Sequence, residues 1–136
     1  MASIAKIEGI GKTYTAKLAK AGVRTTEKLL AVGGDRKGRK ALAAETGLSE
    51  RQILEWVNRA DLMRVKGVGE EYSDLLEAAG VDTCKELRKR KPANLHAKML
   101  EVNSAKKRAL VRRPPSLSEV ERWVEHADTL RPAVTH

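Results

Sequence analysis

The strongest constraint on how this chain folds is that part of it occurs twice. Displaced by 58 positions, residues 7–25 (IEGIGKTYTAKLAKAGVRT) align with residues 65–83 (VKGVGEEYSDLLEAAGVDT), and both turn glycines, a tyrosine, a leucine, an Ala-Gly-Val triplet and the final threonine are identical. A second pair lies at a displacement of 67: Ser49-Glu50-Arg51-Gln52 leads to Trp56-Val57 and Ala60-Asp61, and Ser116-Leu117-Ser118-Glu119 leads to Trp123-Val124 and Ala127-Asp128. The difference of nine residues is an insertion inside the segment 85–113. The chain therefore reads as two copies of one unit, residues 1–62 and residues 63–136, the second carrying the extra length.

Each copy is written in helical signals. A serine three residues before Gln52 or Glu119 is a capping box, so helices start near 49 and 117 and run to about 61 and 130. Gly67-Val68-Gly69 opens a helix with Tyr72, Leu76 and Ala79 on one stripe, and Gly80 stops it in a left-handed cap, with Asp82 or Thr83 capping the next element. Asp35 caps a further helix that extends to about Thr46. Apolar residues make up 41% of the chain and none is phenylalanine, so the core is aliphatic and alanine-rich, which suits closely packed helices. The expected fold is all-α, two pseudo-symmetric repeats in one compact domain, with the C-terminal helix closing onto the N-terminal hairpin.

The turn Gly9-Ile10-Gly11-Lys12-Thr13 looks made to hold a phosphate. A P-loop would need a glycine where Lys6 stands and a buried strand before it, and neither is present. What remains is a sharp turn that buries Ile10 as a peg and leaves backbone N–H groups free at a helix start, where anions bind. The second turn, with Gly67 and Gly69, carries Glu70 and Glu71 in place of Lys12 and Thr13, so it is the weaker phosphate binder.

Charge is unevenly distributed along the chain. Residues 1–40 hold ten Lys/Arg against three Asp/Glu, 41–84 four against nine, and 85–113 eleven against two, within a net charge of +9. Arg36, Lys37, Arg39 and Lys40 crowd a helix start, where they oppose the macrodipole, and Arg88, Lys89, Arg90 and Lys91 form a second basic group. Lys106, Lys107, Arg108, Arg112 and Arg113 form a third. An anionic backbone would neutralise them. No aromatic residue lies among these groups, which favours duplex nucleic acid over single strands. The two Trp and two Tyr sit at equivalent repeat positions and read as core.

Hydrophobic-x-Gly-hydrophobic-Gly followed by a small residue (Thr15, Ser73) and a Leu-x-x-x-Gly run resembles a helix-hairpin-helix motif, and both copies carry it. The longer pattern is Trp56-Val57-Asn58-Arg59-Ala60-Asp61-Leu62, Asn94 to Lys98, Glu101-Val102-Asn103 and Arg113-Pro114-Pro115-Ser116-Leu117. It resembles a bacterial family, domain of unknown function 4332, over nearly the whole chain. The hairpin resemblance implies sequence-independent binding of DNA phosphates by backbone amides, and it allows a monovalent cation held by hairpin carbonyls. No other cofactor is expected.

His96, His126 and His136 are scattered, Cys84 has no cysteine partner, and Glu55 with Arg59 is a solvated pair, so neither a metal site nor an acid/base couple is expected. His96 reads as a packing or capping residue. The start of the chain lacks a secretory apolar stretch and no segment reaches membrane-spanning length, which points to the cytoplasm. The expected function is non-enzymatic nucleic-acid binding. The competing expectation is a protein-interaction adaptor whose acidic stretch 41–84 meets a partner.

Overall fold

The computed structural model describes residues 3–7, 10–105 and 111–136. After a 3-10 turn at Ile4–Lys6 come eight α-helices: α1 (Gly11–Lys20), α2 (Thr26–Gly33), α3 (Arg36–Thr46), α4 (Glu50–Leu62), α5 (Glu70–Ala78), α6 (Cys84–Leu87), α7 (Pro92–Ala105) and α8 (Leu117–Thr129). There is no strand among the described residues, only an isolated bridge between Ser3 and Thr25.

Side-chain oxygens placed by the sequence set most of the starts. Thr25 accepts from the Lys28 N–H at 3.1 Å, Asp35 from Gly38 at 2.7 Å, Ser49 from Gln52 at 3.1 Å and Thr83 from Glu86 at 3.3 Å. At α8 the box is reciprocal: Ser116 Oγ accepts from the Glu119 N–H at 3.2 Å and Glu119 accepts from the Ser116 N–H at 3.1 Å. Each such cap contributes about 1 kcal/mol. The ends of α1 and α5 match one another. Gly22 (φ +83°) and Gly80 (φ +95°) are left-handed, which returns the chain so that Val23 and Val81 each donate to a leucine carbonyl, Leu18 and Leu76, at 2.9 Å.

Contacts divide the chain into two compact units, Met1–Asp61 with Pro132–His136, and Leu62–Arg131. In the first, α2 packs on α3 and the 3-10 turn on α1, around Ile4, Ile7, Ile10, Leu18, Val23, Leu29, Leu42, Ile53, Trp56 and Val57, all buried. Tyr14 lies against Trp56, ring centroids 5.3 Å apart and tilted by 48°. In the second, α8 packs on α6 and α7, and α5 on α7. Val65, Val68, Leu75, Leu76, Val81, Leu87, Leu95, Met99, Val120 and Trp123 fill its core, and Cys84 is buried among them. Tyr72 lies against Trp123, centroids 5.1 Å apart and tilted by 50°. Ring pairs of this geometry contribute about 0.5–1.5 kcal/mol beyond the area they bury.

The buried face of α8, Val120, Trp123 and Ala127, belongs to the second unit's core, where Trp123 lies against Tyr72, as Trp56 lies against Tyr14 in the first. The second unit ends at Arg131, short of the bound at residue 136 expected from the sequence. Residues 132–136 belong to the first unit, where Val134 is buried and the Thr135 N–H donates to the Gly34 carbonyl at 2.8 Å. In the first copy residues 47–49 join α3 to α4, and in the second residues 111–116 form the described part of the connection into α8. The Asn103 amide fixes the far side of that connection, donating to the Val111 carbonyl at 3.2 Å and accepting from its N–H at 3.1 Å.

Candidate phosphate-binding surface

The first turn is built on two pegs. Ile7 and Ile10 are 2% and 1% exposed, and the Ile10 N–H donates to the Ile7 carbonyl at 3.3 Å, so the chain emerges at Gly11 (φ +70°) with Lys12 and Thr13 exposed. No side chain caps α1 and no acidic residue stands in its first turn. The N–H groups at this start thus keep their positive end of the helix dipole uncompensated. The Thr15 hydroxyl donates to the Gly11 carbonyl at 2.7 Å and takes no N–H from the site. Gly9 lies outside the described residues.

The second turn repeats the pegs and reverses the charge. Val65 and Val68 are buried and joined by a 3.0 Å hydrogen bond, as Ile7 and Ile10 are. Here Gly67 is the left-handed residue (φ +91°), while Gly69 is extended and caps α5 without a side-chain bond. Glu70 and Glu71, both exposed, occupy the first turn. They complement the dipole themselves, which leaves little for an incoming anion.

The basic groups separate into two kinds. Arg39 is only 3% exposed: its guanidinium donates to the carbonyls of Gly33 at 2.9 Å, Gly34 at 3.0 Å and Thr135. Burial pulls its pKa below the usual arginine value, partly offset by Asp35. It is a structural tie and is not available to a phosphate, which corrects its expected role. Arg90 and Arg113 are also engaged. Arg90 pairs with Glu86 at 3.0 Å and donates to the Gly80 carbonyl at 3.0 Å, and Arg113 reaches both Glu119 oxygens at 3.2 Å. By contrast, Lys12, Arg36, Lys37 and Lys40 in the first unit, and Lys89, Lys91 and Arg112 in the second, are exposed; Arg88 is half-buried. None of these makes an ion pair among the described residues. Lys106, Lys107 and Arg108 lie outside the described residues. His96 bonds the Pro115 carbonyl at 2.9 Å through Nε2, a packing contact between α7 and the approach to α8.

A second feature was not visible in the sequence. Lys66 and His126, 60 residues apart, meet where the Lys66 N–H donates to His126 Nδ1 at 3.0 Å. Together with Gly67, Glu119, Arg122 and Trp123 they line a cleft of about 500 Å³ in the second unit. No group of three or more His, Cys, Asp or Glu side chains able to hold a metal ion occurs among the described residues.

The fold and surface define an all-helical protein made of two small helical units with a surplus of exposed cations. The family model for domain of unknown function 4332 (DUF4332) matches residues 8–130, and the chain belongs to that family. No curated protein and no solved structure matches it. No helix among the described residues is long and apolar enough to cross a membrane.

Proposed function

We propose that this protein binds nucleic-acid backbones, duplex DNA foremost, without reading sequence and without catalysis, in the bacterial cytoplasm. The two Gly-x-Gly turns act in this reading as helix-hairpin-helix motifs, the first engaging a phosphate through the start of α1. The observation that carries it is the set of exposed cations left without ion pairs, Lys12, Arg36, Lys37, Lys40, Lys89, Lys91 and Arg112. The chain holds eighteen Asp and Glu that could have paired them and leaves these charges open to an external polyanion. Loss of Arg39, Arg90 and Arg113 from the contact set lowers the number of phosphates engaged without removing any whole basic group.

The test is fluorescence-anisotropy binding to a random-sequence duplex across a salt series. Neutralising about five phosphates gives a slope of log K against log salt of roughly −4 to −5. Lys12→Glu and Gly11→Val each weaken binding if the first turn holds the phosphate. Absence of binding at low salt, or indifference to both changes, removes the reading. One observation favours a second reading, a protein adaptor: Glu70 and Glu71 stand exposed at the start of α5, where a basic partner would meet them. Replacing them with Lys and Thr strengthens duplex binding in the first case and abolishes partner binding in the second.

A further inference from the structure

The cleft in the second unit combines three properties that ordinary surface grooves lack. Its two cations, Lys66 and Arg122, are exposed and make no ion pair among the described residues. Its histidine has a fixed role at one nitrogen: Nδ1 accepts from the Lys66 backbone N–H, so in the neutral ring Nε2 carries the proton and is a donor. Its tryptophan is 2% exposed as a residue, and the indole N–H, which borders the cleft beside Gly67, makes no hydrogen bond among the described residues. An N–H that only solvent reaches is a donor an incoming acceptor can take over.

Gly67 keeps that N–H uncovered. A Cβ at this position would lie 3.1 Å from Trp123 Nε1, and the backbone there is left-handed (φ +91°), so no ordinary side chain fills the space. The one acidic lining residue, Glu119, is already satisfied. Its oxygens accept from Arg113 and from the Ser116 N–H, and the Ser116 bond, with help from the charges of Arg113 and, least, Arg122, holds its carboxyl below the usual range. What the cleft presents to a ligand is two exposed positive charges and two N–H donors on its lining, groups that suit a tetrahedral oxyanion.

We infer that this cleft is a phosphate-binding site, with Lys66 and Arg122 supplying charge and Trp123 Nε1 and His126 Nε2 supplying oriented hydrogen bonds. It sits beside the second hairpin's glycine but does not use the start of α5, where Glu70 and Glu71 stand. The phosphate is either the diester of a nucleic-acid backbone or the free phosphate of a small ligand, and the site does not depend on the first turn binding DNA.

The two tryptophans make the test direct. The indole N–H resonances of Trp56 and Trp123 are assigned with Trp56→Phe, then followed as the full chain is titrated with pyrophosphate and, separately, with a short duplex lacking terminal phosphates. The Trp123 resonance moves and that of Trp56 does not. Movement with the duplex that survives in Lys12→Glu identifies a backbone phosphate held independently of the first turn, and movement with pyrophosphate alone identifies a small-ligand site. Lys66→Glu with Arg122→Glu weakens the response at least tenfold, and Arg122→Gln is the milder variant should the reversal perturb folding. A Trp123 resonance that stays still with both ligands, or one that moves equally in the charge-reversed protein, overturns the assignment.

Discussion

The starts of α1 and α5 carry the same pegs and opposite charge. Both turns seat two aliphatic pegs joined by one backbone hydrogen bond, Ile7 with Ile10 and Val65 with Val68. Both helices end on a left-handed glycine, with a Tyr lying against a Trp in between. Yet one helix start carries Lys12 and Thr13 and the other Glu70 and Glu71. Residues that shape the turn are shared, while residues that face water are not. The pegs are therefore kept, while the left-handed glycine shifts, Gly11 at one turn and Gly67 at the other, and the charge presented reverses.

The comparison breaks most visibly at the aromatic pairs. Trp123→Ala is expected to cost about 3–5 kcal/mol in urea unfolding, as truncation of a buried indole does. It should shift the ring resonances of Tyr72 and leave those of Tyr14 in place, while Trp56→Ala does the reverse. Cross-talk, with Trp123→Ala moving Tyr14, would mean that the repeats exchange helices.

Next in size is the contrast between the buried Arg39 of α3 and the exposed Ala97 of α7. Arg39→Ala removes a donor from three carbonyls, of which that of Gly34 keeps the Thr135 N–H, and should lower stability by about 2–4 kcal/mol. Ala97→Gln should change it by less than about 0.5 kcal/mol, as surface changes do. Equal effects at the two positions would show that the tie to Thr135 contributes little.

The charge reversal at the turns is smaller and sharper. Lys12→Glu should weaken duplex binding roughly tenfold at low salt and flatten the salt slope by about 1. Glu70→Lys with Glu71→Thr should strengthen it several-fold. If both variants bind like the parent protein, the turns do not touch the nucleic acid.

The smallest effect concerns Glu119, where the second repeat has a reciprocal capping box. Its folded carboxyl pKa is held down, so its stabilisation is complete above the unfolded value of about 4.3 and fades as pH falls through the folded one. Glu119→Gln should therefore cost about 1 kcal/mol at neutral pH and progressively less below pH 4. A cost that is unchanged at acid pH would assign the effect to shape and not to charge.

Local chemistry was legible. Asp35, Thr83, Gly80 and Ser116 do what their neighbours in sequence require, because caps and left-handed stops are decided within four residues. Partner choice at long range was not legible. The repeat pattern states that Trp56 and Trp123 are equivalent but not which tyrosine each lies against. Arg39 looked like its basic neighbours because its acceptors are backbone carbonyls, one of them 96 residues away, and carbonyls leave no trace in a sequence. The cleft was hidden for the same reason: its principal contact joins a backbone N–H to a histidine on another helix.

The return of residues 132–136 to the first unit gives the chain a nested order. The second unit is, in sequence, an interruption of the first, and the first cannot be completed until residues 132–136 are made. During synthesis the residues of the first unit emerge before Thr135, so the bonds from Arg39 to the Thr135 carbonyl and from the Thr135 N–H to Gly34 form only after the second unit has been made. Loss of those five residues would then be felt at the beginning of the protein, leaving the segment nearest to them, α8, with its core intact.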